Sequence, residues 1–344
     1  MKPQRILFAA EFWDGASAAG IVGGLRHMKH AVSQIDWNDY IGGAGLAGRI
    51  KTRLLLKHQI AQLNRAILKA ADAGRPDVFI TVKGSFIDAQ TIAALQAKGT
   101  TCANFYPDVS FDHPGLSYNA IAAYDLIATT KSYHLPYLNK EFGNQRHCFI
   151  PHGYSPAVHA PVDLPATDDD YDWDICYIGN PSPSKVDWLD SLCSAFLHCR
   201  IAIVGNRWGR FAKSGKLTRA VLLPAATGTA YARVACRSKI NLGIHYGSHG
   251  YQGWEDKVST RSFELPACKG FMLHIDNDEI RDLYKVGCEI DVFSNVAQLR
   301  ERIGHYLDRP AKRREMLTAA FARCVPAYSL HSRAQELMDA IAHI

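Results

Sequence analysis

Apolar residues recur along this chain in two rhythms. Short apolar runs alternate with longer segments in which apolar positions return at helical spacing. The first rhythm predicts buried strands and the second predicts amphipathic helices. In the first half, strands are expected at Arg5–Phe12, His30–Asp36, Asp77–Val82, Thr101–Tyr106, Asp125–Thr129 and Cys148–Pro151. Between them lie helical patterns at Ala18–Met28, whose glycines would permit close packing, and at Leu46–Ala73, Asp88–Lys98, Tyr118–Tyr124 and Ser132–Phe142. The long pattern stops at Ala-Gly-Arg-Pro, a helix-ending signal. Strands separated by helices predict a parallel sheet covered on both faces.

The rhythm then breaks. The stretch HGYSPAVHAPVDLPATDDDYDWD is rich in Pro and Asp and has no period, as a boundary between domains would be. It restarts with strands at Asp174–Ile178, Arg200–Val204, Lys239–Ile244, Phe271–Ile275 and Glu289–Phe293. Helices are expected at Val186–Phe196, Thr229–Ala235, Arg261–Ala267, Asp278–Leu283, Val296–Leu307 and Ala311–Cys324, with a last one through Ile341. The expectation is an α/β chain: an N-terminal domain over 1–152, a linker over 153–173 and a second domain over 174–325. A closing helix, 326–344, is a candidate to cross back to the first domain. Open sheets of this kind bind ligands at the carboxyl ends of their strands, so two facing each other would make an interdomain cleft.

Composition narrows the picture little. Hydrophobic residues make up 47% of 344 and charged residues 21%, which is ordinary for a globular protein. The net charge of +6 suits an anionic ligand without requiring nucleic acid. Nine cysteines include no C-x-x-C pair, which argues against zinc or a redox motif and for a reducing, cytoplasmic setting. MKPQRILFAAEF reads as a first strand rather than a signal peptide, and no apolar run is long enough to span a membrane.

Three segments carry candidate chemistry. IGNPSPSK puts Gly179 and Asn180 directly after a strand and Lys185 at the next helix start. A helix N-terminus with an ammonium group suits a phosphate, although an ordinary turn with a solvated lysine fits the pattern as well. IVGNRWGRF repeats the arrangement at Gly205, with Arg207 and then Arg210, Lys213, Lys216 and Arg219 beside aromatics. That segment could hold a nucleotide or simply be solvated surface. The third, INLGIHYGSHGYQGWEDKVSTRSFE, leaves a strand and crosses a loop bearing His245, His249, Asp256 and Lys257. It enters a helix capped by Ser259 or Thr260. Arg261 and Glu264 then sit three residues apart in a helix that otherwise looks buried. A structural ion pair is one reading. A carboxylate facing a cleft, where hydroxyls of a ligand satisfy it, is the other.

TRSFELPACKG, with the later GCEI and the closing HSR, resembles the CgeB-like (spore maturation protein) branch of GT-B glycosyltransferases. The matching residues are Arg261, Phe263, Glu264, Pro266, Ala267 and Gly270, then Gly287, Glu289 and Ile290, then His331 and Arg333. Gly270 is displaced by Lys269 relative to the family pattern. The resemblance implies two Rossmann-like domains, with a nucleoside-diphosphate-sugar donor held by the second and an acceptor by the first. It implies that Glu264 holds the donor ribose, and that Asp256 stands where relatives carry a second glutamate. Gly179 and Lys185 would meet the pyrophosphate. It also implies a metal-independent reaction, with Lys185, Lys257 and Arg261 neutralising the leaving diphosphate; the sequence itself offers no convincing Asp-x-Asp metal site, and Asp168–Asp170 read as solvated linker. For an inverting reaction the base would be Asp14, with Asp108, Asp112 and His113 as rivals. The acceptor would be a carbohydrate or a macromolecule. DNA is an alternative acceptor, given the basic stretches Arg49–Lys69 and Arg207–Arg219, and a non-catalytic or epimerase-like relative is a third reading.

Overall fold

The computed structural model describes residues 2–42, 45–112, 115–143, 145–245 and 253–344, with 45–54 as backbone only. His113 and His249 therefore lie outside the described residues, and the Arg49 side chain is not described. The chain divides into two compact units, Met1–His152 with Leu330–Ile344, and Gly153–Ser329.

The first unit runs β1 (Arg5–Ala10), α1 (Ser17–His27), β2 (Ala31–Asp36), α2 (Gly45–Gly74), β3 (Val78–Val82), α3 (Ala89–Gln96) and β4 (Thr101–Tyr106). It continues through α4 (Tyr118–Ala123), β5 (Leu126–Thr129), α5 (His134–Glu141) and β6 (Arg146–Phe149). The strands form one sheet in the order β2-β1-β3-β4-β5-β6, and every pairing is parallel. The central strands read as continuous buried runs because helices cover both faces.

The second unit opens with β7 (Trp173–Ile178), α6 (Pro183–Ala195), β8 (Ile201–Val204), α7 (Gly209–Ala212), β9 (Val221–Leu223) and α8 (Gly228–Cys236). There follow β10 (Ser238–Gly243), α9 (Arg261–Ala267), β11 (Met272–Ile275), α10 (Asp278–Leu283), β12 (Asp291–Phe293), α11 (Val296–Leu307) and α12 (Pro310–Cys324). Its sheet order is β12-β11-β10-β7-β8-β9, again all parallel. The order reverses between β1 and β3 in the first sheet and between β7 and β10 in the second. Those two points are where open α/β sheets leave a crevice for ligands.

The last helix, α13 (Leu330–Ala342), belongs to the first unit and lies along α1. The α1 glycines make this possible. A Cβ at Gly20 would stand 2.3 Å from the Leu330 side chain, and one at Gly24 would stand 2.8 Å from the Ala334 Cβ.

Three expectations need correction. Strand β9 was not foreseen; it is three residues long, sits at the sheet edge and shows no alternation. Strand β6 spans Arg146–Phe149 rather than Cys148–Pro151; as an edge strand with half-buried residues it takes up polar Arg146 and His147. Of Asp168–Asp170, expected as solvated linker, Asp169 and Asp170 are exposed but Asp168 is not free in solvent. Asp168 pairs with Arg313, which is only 1% exposed, and with Lys239. Asp163 pairs with Arg233 and Asp172 with Arg237, which fastens the 153–173 segment to the second unit. A buried guanidinium is costly unless paired, so Asp168 is structural.

Candidate functional site

The site is built at the reversal point of the second sheet. Gly179 follows β7 and Gly205 follows β8, both at φ 152°, a conformation open to glycine alone in practice. The Gly179 N–H donates to Val204 O (2.8 Å), and the Trp208 indole N–H donates to Gly179 O (2.8 Å). A side chain at 205 would run into the Gly179 carbonyl, and one at 179 would meet the Tyr177 hydroxyl and the Arg261 guanidinium. The two strand ends thus present bare backbone. Asn180 links the loops by accepting from the Asn206 N–H (3.2 Å).

Two cations converge here. Lys185 is in the first turn of α6, which starts at Pro183, and is 1% exposed. Its Nζ donates to Asn180 O (3.4 Å) and lies 5.9 Å from the centre of the Tyr177 ring. Arg261, the first residue of α9, places its Cζ 5.6 Å from the centre of the same ring. Burial, with the Arg261 charge nearby, lowers the Lys185 pKa to about 7, while Asp256 pulls the other way. Two positive charges, a helix N-terminus and a glycine loop make an anion site.

Helix α9 also carries Glu264, 7% exposed. No ion pair joins it to Arg261 among the described residues, so the structural-pair reading fails. Its Oε1 is 3.8 Å from His159 Nε2, and the Tyr231 hydroxyl faces the same carboxylate. Burial pushes His159 below the usual imidazole range against the pull of Glu264, and pushes the Tyr231 hydroxyl far up, so Tyr231 stays protonated. The helix tolerates Pro266 because the Tyr284 hydroxyl donates to Ser262 O (2.9 Å), the carbonyl one turn back that Pro266 has no N–H to reach. The thiol of Cys324 donates to Phe263 O (3.3 Å). Both contacts fix the helix that aims Arg261 and Glu264.

Other sequence candidates fall elsewhere. Lys257 is paired with Asp278 (2.8 Å) at the start of α10. Thr260 holds the cap position without a side-chain cap; Ser262 Oγ instead accepts from the Ser259 N–H (3.2 Å). Arg207 and Arg210 line, with Asn180, Pro181 and Asn206 of the two loops, a cavity of about 220 Å³. His245 stands just beyond β10, where its Nδ1 is 3.4 Å from Arg261 Nη2. In the first unit Asp14 and Asp112 are exposed, and Asp108 pairs with Lys83 (3.2 Å). Among the described residues no three His, Cys, Asp or Glu side chains are grouped as a metal site would require. Sequence reasoning missed Tyr177, Tyr231, His159 and His274. Only His159 had a signal, since it sits in the aperiodic stretch after HGYSP.

This architecture defines a class. The two parallel sheets with their flanking helices have the GT-B α/β fold. Sucrose-phosphate synthase of Thermosynechococcus elongatus superposes with a TM-score of 0.68 at 12% identity, over 99% of this chain and 98% of that one. A glycosyltransferase from Rickettsia africae gives 0.66 at 11% identity, over 100% and 99%. HepE of Anabaena, in complex with UDP-glucose, gives 0.61 at 11% identity, over 99% and 100%. Residues 185–339, which include Lys185, Arg261 and Glu264, match a family profile described as glycosyl transferase-like. No curated protein sequence matches the chain.

Proposed function

We propose that this protein is a glycosyltransferase of the CgeB-like branch that takes a sugar from a nucleoside-diphosphate donor and passes it to an acceptor hydroxyl. The observation that carries the reading is the convergence of Lys185 and Arg261 on the Tyr177 ring beside the bare Gly179 loop. Breaking a glycosyl–phosphate bond leaves a diphosphate whose charge must be stabilised as it develops. Two cations and the α6 N-terminus supply that here without a metal ion. Glu264, supported by His159 and Tyr231, would accept the ribose hydroxyls, and Asp256 would face the donor sugar. HepE binds UDP and UDP-glucose, which favours UDP as the nucleotide.

The acceptor would lie at the reversal point of the first sheet. A cavity of about 120 Å³ opens there, lined by Glu11, Trp13, Trp37, Val82, Lys83 and Pro107. Trp13 is 52% exposed and offers an aromatic face to a sugar ring. Lys83 is held at φ 68°, an uncommon conformation for a side-chain-bearing residue that concentrates at functional sites. Asp14, on the same turn as Trp13, is the base we assign to an inverting reaction.

A thermal-shift screen against UDP, GDP, ADP, TDP and CMP tests the reading, because a specific ligand stabilises the native state. Stabilisation by UDP above the others supports it. No shift with any nucleotide, together with salt-sensitive binding of duplex DNA alone, would replace it with nucleic-acid binding.

A further inference from the structure

Beside the anion site, a buried histidine pair has its protons fixed by its neighbours. His274 on β11 is 0% exposed, and its Nδ1 is 2.7 Å from the Ile275 carbonyl, a group that can only accept. That nitrogen therefore carries a proton. Burial above all, aided by the Arg261 charge, lowers the His274 pKa to about 4, so the ring is neutral near pH 7 and its Nε2 is a bare lone pair. The lone pair faces the Ser262 hydroxyl at 2.8 Å and His245 Nε2 at 2.7 Å. Two bare nitrogens would repel at that distance, so His245 Nε2 carries a proton, and the two donors share one acceptor. At its other end, His245 Nδ1 is 3.4 Å from Arg261 Nη2, which can only donate. His245 Nδ1 therefore faces the arginine as its acceptor, and the same Nη2 also donates to Ile244 O (3.2 Å).

We propose that Ser262, His274 and His245 form a positioning relay that aims the Arg261 guanidinium at the diphosphate of the donor. Each step has one hydrogen-bond direction, and it ends on the cation that overhangs the Gly179 loop. The backbone makes room for it: Gly243 is the register partner of His274, and a Cβ there would stand 2.6 Å from the His274 ring. The proposal rests on the reading that Arg261 binds the diphosphate. None of the three relay residues need touch the ligand; they act through the arginine.

Isosteric variants separate the relay from plain packing. His245→Asn places an amide oxygen where Nδ1 stands and keeps a partner for Arg261. His245→Gln keeps the contact to His274 and loses that partner. His274→Asn keeps the bond to Ile275 and loses the shared acceptor. Loss of one charge-assisted hydrogen bond is worth about tenfold in affinity. UDP binding relative to UMP should therefore fall about tenfold in His245→Gln and His274→Asn, and by less in His245→Asn, which keeps the acceptor for Arg261 but not its link to His274. Equal UDP-to-UMP ratios in all folded variants would overturn the relay. Nitrogen-15 NMR of the side chains decides it independently of any ligand. Protonated Nε2 and bare Nδ1 on His245 are expected; the opposite tautomer, or a doubly protonated ring at pH 7, would sink it. If the tautomer stands while no nucleoside diphosphate binds, the reading of Arg261 as a diphosphate ligand is what fails.

Discussion

Gly179 and Arg261 leave no room for a side chain between them: a Cβ at 179 would stand 2.9 Å from the arginine Nη1. The glycine is also held at φ 152°. Gly179→Ala should therefore both strain the turn, at about 1–3 kcal/mol, and push the guanidinium off the loop. The expected outcome is a folded protein of lower melting temperature with nucleotide affinity reduced at least tenfold. A titration with UDP beside a melting curve checks both effects.

Lys185 gives the site a pH dependence whose sign can be worked out. Its pKa is about 7 in the folded protein against 10.5 in an unfolded chain. Between those values the unfolded state binds more protons, so this group makes stability rise with pH from about 7 towards 10.5, and its full penalty is present below 7. A bound diphosphate favours the charged amine. Nucleotide binding should then take up a proton and weaken roughly tenfold per pH unit above pH 7. In Lys185→Met that slope should vanish, while affinity at pH 6.5 drops. Titration calorimetry in buffers of different ionisation enthalpy measures the proton uptake directly.

Glu264 sits with His159 and Tyr231 rather than with Arg261. Hydrogen bonds between a carboxylate and ligand hydroxyls contribute about 1.5–3 kcal/mol together. Glu264→Ala should weaken UDP binding by roughly ten- to a hundredfold while binding of inorganic pyrophosphate stays unchanged. Equal losses for both ligands would remove the ribose role.

Much of this was legible in the sequence because period and breaker residues report burial directly. The alternation of strands and helices, the glycines after β7 and β8 and the acid–base pair of α9 all followed from pattern. Pairing did not. Nothing in the spacing of Lys257 shows that Asp278 takes its charge, or that Asp168 serves a buried Arg313 instead of solvent. The same holds for Tyr177, which reads as one more strand residue until two cations are seen on its ring. Such partners come from separate elements brought together by sheet order, which local sequence does not encode. The edge strand β9 was missed because three residues carry no period.

The α1 glycines, by contrast, announced close packing, and their partner is α13. Gly24→Ala gains about 1 kcal/mol of helix propensity but drives a methyl into Ala334 and the His331 backbone. Overpacking costs about 1–3 kcal/mol, so net destabilisation is expected by urea unfolding. Gly20→Ala should behave likewise, and Leu330→Ala in the same chain should relieve part of its cost, since the Leu330 side chain is the obstacle there.

The most direct test of the central claim is donor turnover. Purified protein would be incubated with UDP-sugars, without added metal, and release of UDP followed with and without a panel of glycan acceptors. The account predicts UDP release from at least one UDP-sugar, accelerated by an acceptor and abolished in Arg261→Met, which keeps an unbranched apolar stem without the guanidinium charge. Tight binding of UDP-sugars with no release under any condition would contradict it and leave a non-catalytic nucleotide-sugar-binding protein in its place.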